Sequence, residues 1–155
     1  MMISNALIAT LLAAISGYTG YAIPGDPPRI AALPHAALAE RVCGRPCGVL
    51  GFTLPDGEIL IDEALAVGAN PAATSILVHE LTHFLQQNSV AHPAPLDCDQ
   101  WNAREREAFD VQVRWLRDNA GSIRAFSVQL AQLNWGAMRA SCPNGRPLAG
   151  QAVGG

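Results

Sequence analysis

Apolar and polar positions divide the chain into an uncharged apolar opening, a middle punctuated by Pro and Gly, and three stretches of helical length. In "NPAATSILVHELTHFLQQN", Ile76, Leu77, Leu81, Phe84 and Leu85 give the apolar content of a buried helix. Asn70 is its N-cap candidate and Pro71 its first position. The helix should run to about Asn88, where "SVAHPAPLDC" ends it. A second helix is predicted from about Asp99 to Asn119, and a third from about Ser122 to Asn134. Upstream, Val49–Thr53 and Glu58–Asp62 are short runs rich in apolar and β-branched residues. The "PDG" between them is a turn, with Pro setting φ and Gly supplying positive φ, so a β-hairpin is predicted. Ala36–Val42 reads as a short helix after a Pro-rich linker, and the Gly- and Pro-rich tail beyond Cys142 as loose. Together these elements predict an α+β fold, a small β-hairpin or sheet packed on about three helices.

The first 22 residues carry no charged side chain. Their apolar run Ala6–Ile15 has the length of a signal-peptide core and is shorter than the ~18 residues of a spanning helix. Gly20 and Ala22 place small residues where a signal peptidase would cut before Ile23. We therefore read residues 1–22 as a signal peptide, the alternative being an uncleaved anchor or a buried N-terminal helix. Residues 23–41 follow as linker and short helix, 42–142 as the domain and 143–155 as a flexible tail.

Composition agrees with one globular domain. The chain has 155 residues, 50% of them hydrophobic, and a formal charge of -3, which argues against disorder. All 10 basic residues are Arg, without a basic run, and the mild balance argues against nucleic acid as a partner. Cys43, Cys47, Cys98 and Cys142, an even number behind an export signal, read as two disulfides with three possible pairings. A turn through "CGRPCG" favours Cys43–Cys47, leaving Cys98–Cys142 to join two helices. The alternative, a structural four-cysteine zinc site, wants closer spacing than Cys98 and Cys142 show. A secreted or periplasmic setting is expected, with no stable membrane insertion once the signal is cut.

Chemistry enters with "HELTH". Positions four apart share a helix face, so His79 and His83 can both present an imidazole to one metal ion. Glu80 lies about 100° round the helix, placed to take a proton from a zinc-activated water rather than to bind metal. Uncharged neighbours on both sides mark a buried helix, where bare His and Glu are costly without a partner. A catalytic zinc needs a third ligand. "REREAF" offers Glu105 or Glu107: Glu105 shares its stripe with Trp101, Ala108, Phe109, Gln112 and Leu116, and Glu107 shares its own with Ala103, Val111, Arg114 and Asp118. The first stripe faces the core, so Glu105 is the favoured ligand and Glu107 the alternative.

"HELTHFLQ" followed by "AREREAFDVQ" resembles the gluzincin metallopeptidases. More narrowly, the ordered set "VCGRPCGVLG", "SILVHELTHFLQ", "CDQW" and "REREAFDVQ" is similar to a family of small exported bacterial proteins of unknown function. The resemblance covers about Val42–Asn119 and implies a minimal gluzincin-like architecture, with His79, His83 and Glu105 on Zn²⁺ and Glu80 as general base. Phe109 stands where the broader pattern often has Asp, so a carboxylate steadying a ligand His would have to come from Asp110 or Asp99. By the same resemblance "EILID" would be the strand that takes an extended substrate. The oxyanion donor has no Tyr outside the presumed leader, which holds Tyr18 and Tyr21, and His92, Arg104 and Arg106 are the candidates. His35 reads as a surface residue.

The expectation is thus a secreted or periplasmic zinc metallopeptidase acting on a peptide or protein substrate. The alternatives are a non-catalytic zinc-stabilised peptide-binding module, or a zinc hydrolase of a non-peptide amide.

Overall fold

Three short strands and five helices make up the protein in a computed structural model that describes residues 2–90 and 97–133. In chain order they are α1 (Asn5–Thr19), β1 (Ile30–Leu33), α2 (His35–Cys43), β2 (Gly51–Thr53), β3 (Ile59–Asp62), α3 (Pro71–Gln87), α4 (Cys98–Asn119) and α5 (Ile123–Gln132). The class is α+β. The hairpin forms as the "PDG" turn requires: β2 runs antiparallel to β3 with Phe52 opposite Leu60, and Gly57 takes φ 87°. A further strand, β1, pairs parallel to β3 from Ile30 opposite Ile59 to Leu33 opposite Asp62, giving the order β1-β3-β2. The linker reading of this stretch is corrected here. "IAAL" is too short and too bland to announce a strand, and its pairing depends on a distant β3.

β3 is buried on both faces, and its alternation separates two clusters. Leu60 joins Phe52, Val49, Leu38, Ala39 and Val42 under α2, whereas Ile59 and Ile61 face the main core around α3. The same alternation on β2 turns Phe52 toward α2 and leaves Gly51 and Thr53 toward α3. A disulfide joins Cys43, at the end of α2, to Cys47 in the loop before β2. Cys98 is also disulfide-bonded, and its expected partner Cys142 lies outside the described residues, as do His92 and the tail.

α3 runs through the centre. Its N-cap Asn70 accepts from Ala73 N at 3.1 Å, Pro71 opens it, and every residue from Ala72 to Gln86 is buried. A helix enclosed all round must satisfy each polar side chain within the protein. α4 packs along it, started by a capping box in which Asp97 and Gln100 exchange hydrogen bonds. α4 buries Trp101, Glu105, Ala108, Gln112 and Leu116, and also Val111 and Trp115, so its buried face is wider than the stripe through Glu105. The segment read as a leader forms α1, with Ile8, Leu11, Leu12 and Ile15 in the same core as α3 and α4. No helix among the described residues is long and apolar enough to cross a membrane.

Candidate metal centre

His79 and His83 lie one turn apart on α3, and Glu105 reaches them from α4; their ligand atoms all fall within 4.8 Å of one another. His79 Nε2 and His83 Nε2 are 3.1 Å apart. Glu105 Oε1 is 2.9 Å from His83 Nε2, and Glu105 Oε2 is 3.5 Å from His79 Nε2. Donors about 2.0–2.1 Å from a tetrahedral ion stand roughly 3.3 Å apart, so these spacings suit one small cation. All three residues are buried, with exposures of 2% for His79, 4% for His83 and 7% for Glu105.

Hydrogen bonds on the far side of each ring settle which nitrogen faces the cluster. His79 Nδ1 meets Gln112 Oε1 at 3.1 Å, and His83 Nδ1 meets Gln86 Oε1 at 2.8 Å. Both amides are oriented by their other ends. Gln112 Nε2 donates to Ser75 Oγ, whose own hydroxyl donates to Ala72 O, and Gln86 Nε2 donates to Arg104 O and Glu107 Oε1. Each Nδ1 therefore carries a proton that it donates to an amide oxygen, and each Nε2 turns a lone pair inward. Two lone pairs at 3.1 Å repel unless a cation or a proton lies between them. Glu105 Oε2 adds a buried oxygen without a hydrogen-bond partner, which a cation would satisfy. The group fits a metal ion.

The electrostatics agree. Burial raises the Glu105 carboxyl, but the His83 and His79 imidazoles beside it hold it far below the usual carboxylate range. Burial alone would lower His83, and the carboxylates of Glu105 and Glu80 with the Gln86 hydrogen bond raise it above 6.5 instead.

Glu80 stands next to this group and is 1% exposed. Thr53 Oγ1 donates to Glu80 Oε2 at 2.8 Å, with Glu80 O also 3.0 Å away, tying the side chain to β2. Burial pushes the Glu80 carboxyl up, against the opposing pull of His79, His83 and the Thr53 hydroxyl. Gly51 on the same strand is equally committed: a Cβ there would lie 2.9 Å from Glu80 Cγ.

Glu107 lies outside the cluster; its Oε1 accepts from Gln86 Nε2 at 2.9 Å and from the Tyr21 hydroxyl at 2.6 Å. Asp99 and Asp110 are exposed, and the role expected of them belongs to the amides Gln86 and Gln112. Phe109 packs its ring edge-on to His79, with centroids 4.7 Å apart. Burial lowers the pKa of Arg104, whose Nε donates to Gln86 Oε1 at 3.2 Å; Arg106 is exposed. His35 bridges Asp62 Oδ2 at 2.7 Å and Cys47 O at 3.0 Å, a link between α2, β3 and the disulfide loop. Gln112 was legible as two turns on from Glu105, and Gln86 as one turn on from His83; Gly51 and Thr53 had no signal, since nothing local ties β2 to Glu80.

Fold and site together define an α+β protein with a buried His-His-Glu group able to hold a metal ion. Compared with protein-family models, characterised proteins and solved structures, the chain matches none.

Proposed function

We propose that the protein is a zinc-dependent, gluzincin-type metallopeptidase that hydrolyses peptide bonds, with His79, His83 and Glu105 as metal ligands and Glu80 as general base. The observation that carries this reading is the convergence of two inward Nε2 lone pairs and an unpartnered carboxylate oxygen, with a second carboxylate beside them that binds nothing in the cluster. A structural metal site has no need of Glu80. Zinc bound there supplies Lewis acidity toward a carbonyl and lowers the pKa of water. Glu80, held by Thr53, takes the proton and delivers it to the departing amine, and its raised pKa suits that exchange.

Substrate docking is reassigned within the sheet. β3, the "EILID" strand, is paired on both sides and has no edge to offer. β2 is the edge. Leu50 O accepts from Asp62 N of β3 and Leu54 N donates to Glu58 O just before it, so by antiparallel alternation the backbone groups of Gly51 and Thr53 point away from β3, beside Glu80. An extended peptide adding to that edge passes the general base. The Cys43–Cys47 disulfide supports an oxidising compartment, secreted or periplasmic.

One observation favours a second reading, a metal-stabilised module without catalysis: Glu80 and all three ligands are closed off from solvent. Glu80→Gln separates the two. Metal content and peptide hydrolysis are measured on the full chain, with His79→Ala, Glu105→Ala and Glu107→Ala as binding controls. The peptidase reading expects one zinc per chain, binding lost in the first two controls, binding weakened but retained in the third, whose carboxylate holds Gln86 behind His83, and hydrolysis abolished in Glu80→Gln with zinc retained. A zinc-loaded parent that cleaves no peptide, with Glu80→Gln equally loaded, overturns it in favour of the module.

A further inference from the structure

The N-terminal segment reaches the metal group through three side chains. The Tyr21 hydroxyl donates to Glu107 Oε1 at 2.6 Å, the same oxygen accepts from Gln86 Nε2 at 2.9 Å, and Gln86 Oε1 accepts from His83 Nδ1 at 2.8 Å. Each link constrains the next. Glu107 draws the amino end of Gln86 and so turns its carbonyl toward His83; a reversed amide would present N–H to Nδ1 and take the inward lone pair away from Nε2. Tyr21 holds Glu107 at that task.

Tyr21 is itself held in place. Gly20, at φ 79°, closes α1 and turns the chain; Ser16 Oγ donates to Tyr21 O at 2.7 Å, and Tyr21 N donates to Thr19 Oγ1 at 3.2 Å. One turn back, the Tyr18 hydroxyl donates to Asp118 Oδ2 at 2.9 Å while the Arg114 guanidinium lies 4.4 Å from its ring centre. The end of α1 is thus fastened to α4 at two points, and one of them continues to a metal ligand.

We propose that Tyr21 is a positioning residue for the metal ligand His83, acting through Glu107 and Gln86, so that the segment ending α1 is a working part of the metal centre. This inference rests on the metal-site reading above and on the buried-helix reading of residues 1–22, in which α1 is kept, and adds the means by which α1 supports the site. Tyr21 touches neither metal nor substrate; its effect appears as affinity and ligand geometry at His83.

The test is titration of the full chain with Zn²⁺ and, for the visible spectrum, Co²⁺. Tyr21→Phe keeps the ring in the core and removes only the hydroxyl. It is expected to weaken metal binding about tenfold, the low end for outer-shell partners, and to alter the Co²⁺ absorption. Glu107→Ala should weaken binding at least as much, and adding Tyr21→Phe to it should cost nothing more. Glu107→Gln, whose amide oxygen can accept both bonds, should restore most of the affinity. Parent affinity and spectrum in Tyr21→Phe, or losses that simply add in the double variant, overturn the proposal. If the parent binds no more metal than His79→Ala, the metal-site reading itself has failed, an outcome distinct from either.

Discussion

Gly51→Ala isolates the contact between β2 and the general base. Gly51 does not have a positive φ, so alanine meets no backbone penalty, and the whole effect comes from one added carbon. That carbon would stand 2.9 Å from Glu80 Cγ, 3.3 Å from Cδ and 3.2 Å from Oε1, where ordinary carbon contacts begin near ~3.5 Å. Glu80 has to retreat by roughly half an ångström or more. The crowded atom is Cγ, mid-chain, and the carboxylate beyond it is buried and held by Thr53 at 2.8 Å. Overpacking of this kind costs about 1–3 kcal/mol, and the reduced freedom of the unfolded chain returns about 0.4–1 kcal/mol. The net expectation, taking the middle of both ranges, is a loss of about 1.3 kcal/mol and at most about 2.6, or roughly 3–5 °C in Tm at the central value for a chain of this size. Metal affinity should hold within a few-fold, because Glu80 is not among the three converging donors. Thermal and urea unfolding of parent and variant, with and without zinc, measure the first expectation, and metal titration the second. A variant as stable as the parent would show that Glu80 has room to move and is not clamped by β2. A variant that loses metal would place Glu80 in the ligand set and refute the division of roles.

Two further expectations concern the unloaded centre and α1. His83 is raised above 6.5, so its contribution to the metal-free fold is complete below that pH and is lost as pH rises through the higher folded value. Glu105 is held below 4.5, so its contribution is present above 4.5 and is lost only as pH falls through its lower folded value. On these two groups the metal-free chain should be most stable between pH 4.5 and 6.5 and weaken toward alkaline pH; the raised Glu80, whose cost begins as pH passes 4.5, adds to that decline and moves the optimum to the acidic end of the window. The Tm increment from zinc should grow over the same rise, since metal displaces protons; a metal-free Tm that climbs from pH 6.5 to 8 contradicts this. A chain beginning at Ile23 would lack Ile8, Leu11, Leu12 and Ile15, whose burial at about 1.5–3 kcal/mol each approaches the ~5–15 kcal/mol stability of a whole domain. Circular dichroism and urea titration should show that it fails to fold cooperatively; cooperative folding with zinc bound would make α1 dispensable.

Helices α3, α4 and α5 were legible within one or two residues, because caps, Pro at the first turn and helical apolar spacing are local signals. The Pro-Asp-Gly turn was equally local. β1 was not, since parallel pairing joins residues far apart and leaves little mark on either strand alone. For the candidate site, helical phase sufficed to put His79 and His83 on one face and to separate Glu105 from Glu107. It did not supply the supports, because Gln86 to Glu107, Thr53 to Glu80 and Tyr21 to Glu107 all cross between elements.

What the sequence by itself determined is therefore the set of periodic elements and the faces on which their chemical groups lie, since these depend on backbone geometry and neighbours a few residues away. Only the tertiary structure decided which faces meet: that α1 completes the core, that β3 lies between β1 and β2 and is not an edge, and that two amides orient the histidines. Those outcomes follow from burial, which obliges every enclosed polar atom to find its partner on whichever element happens to pack beside it.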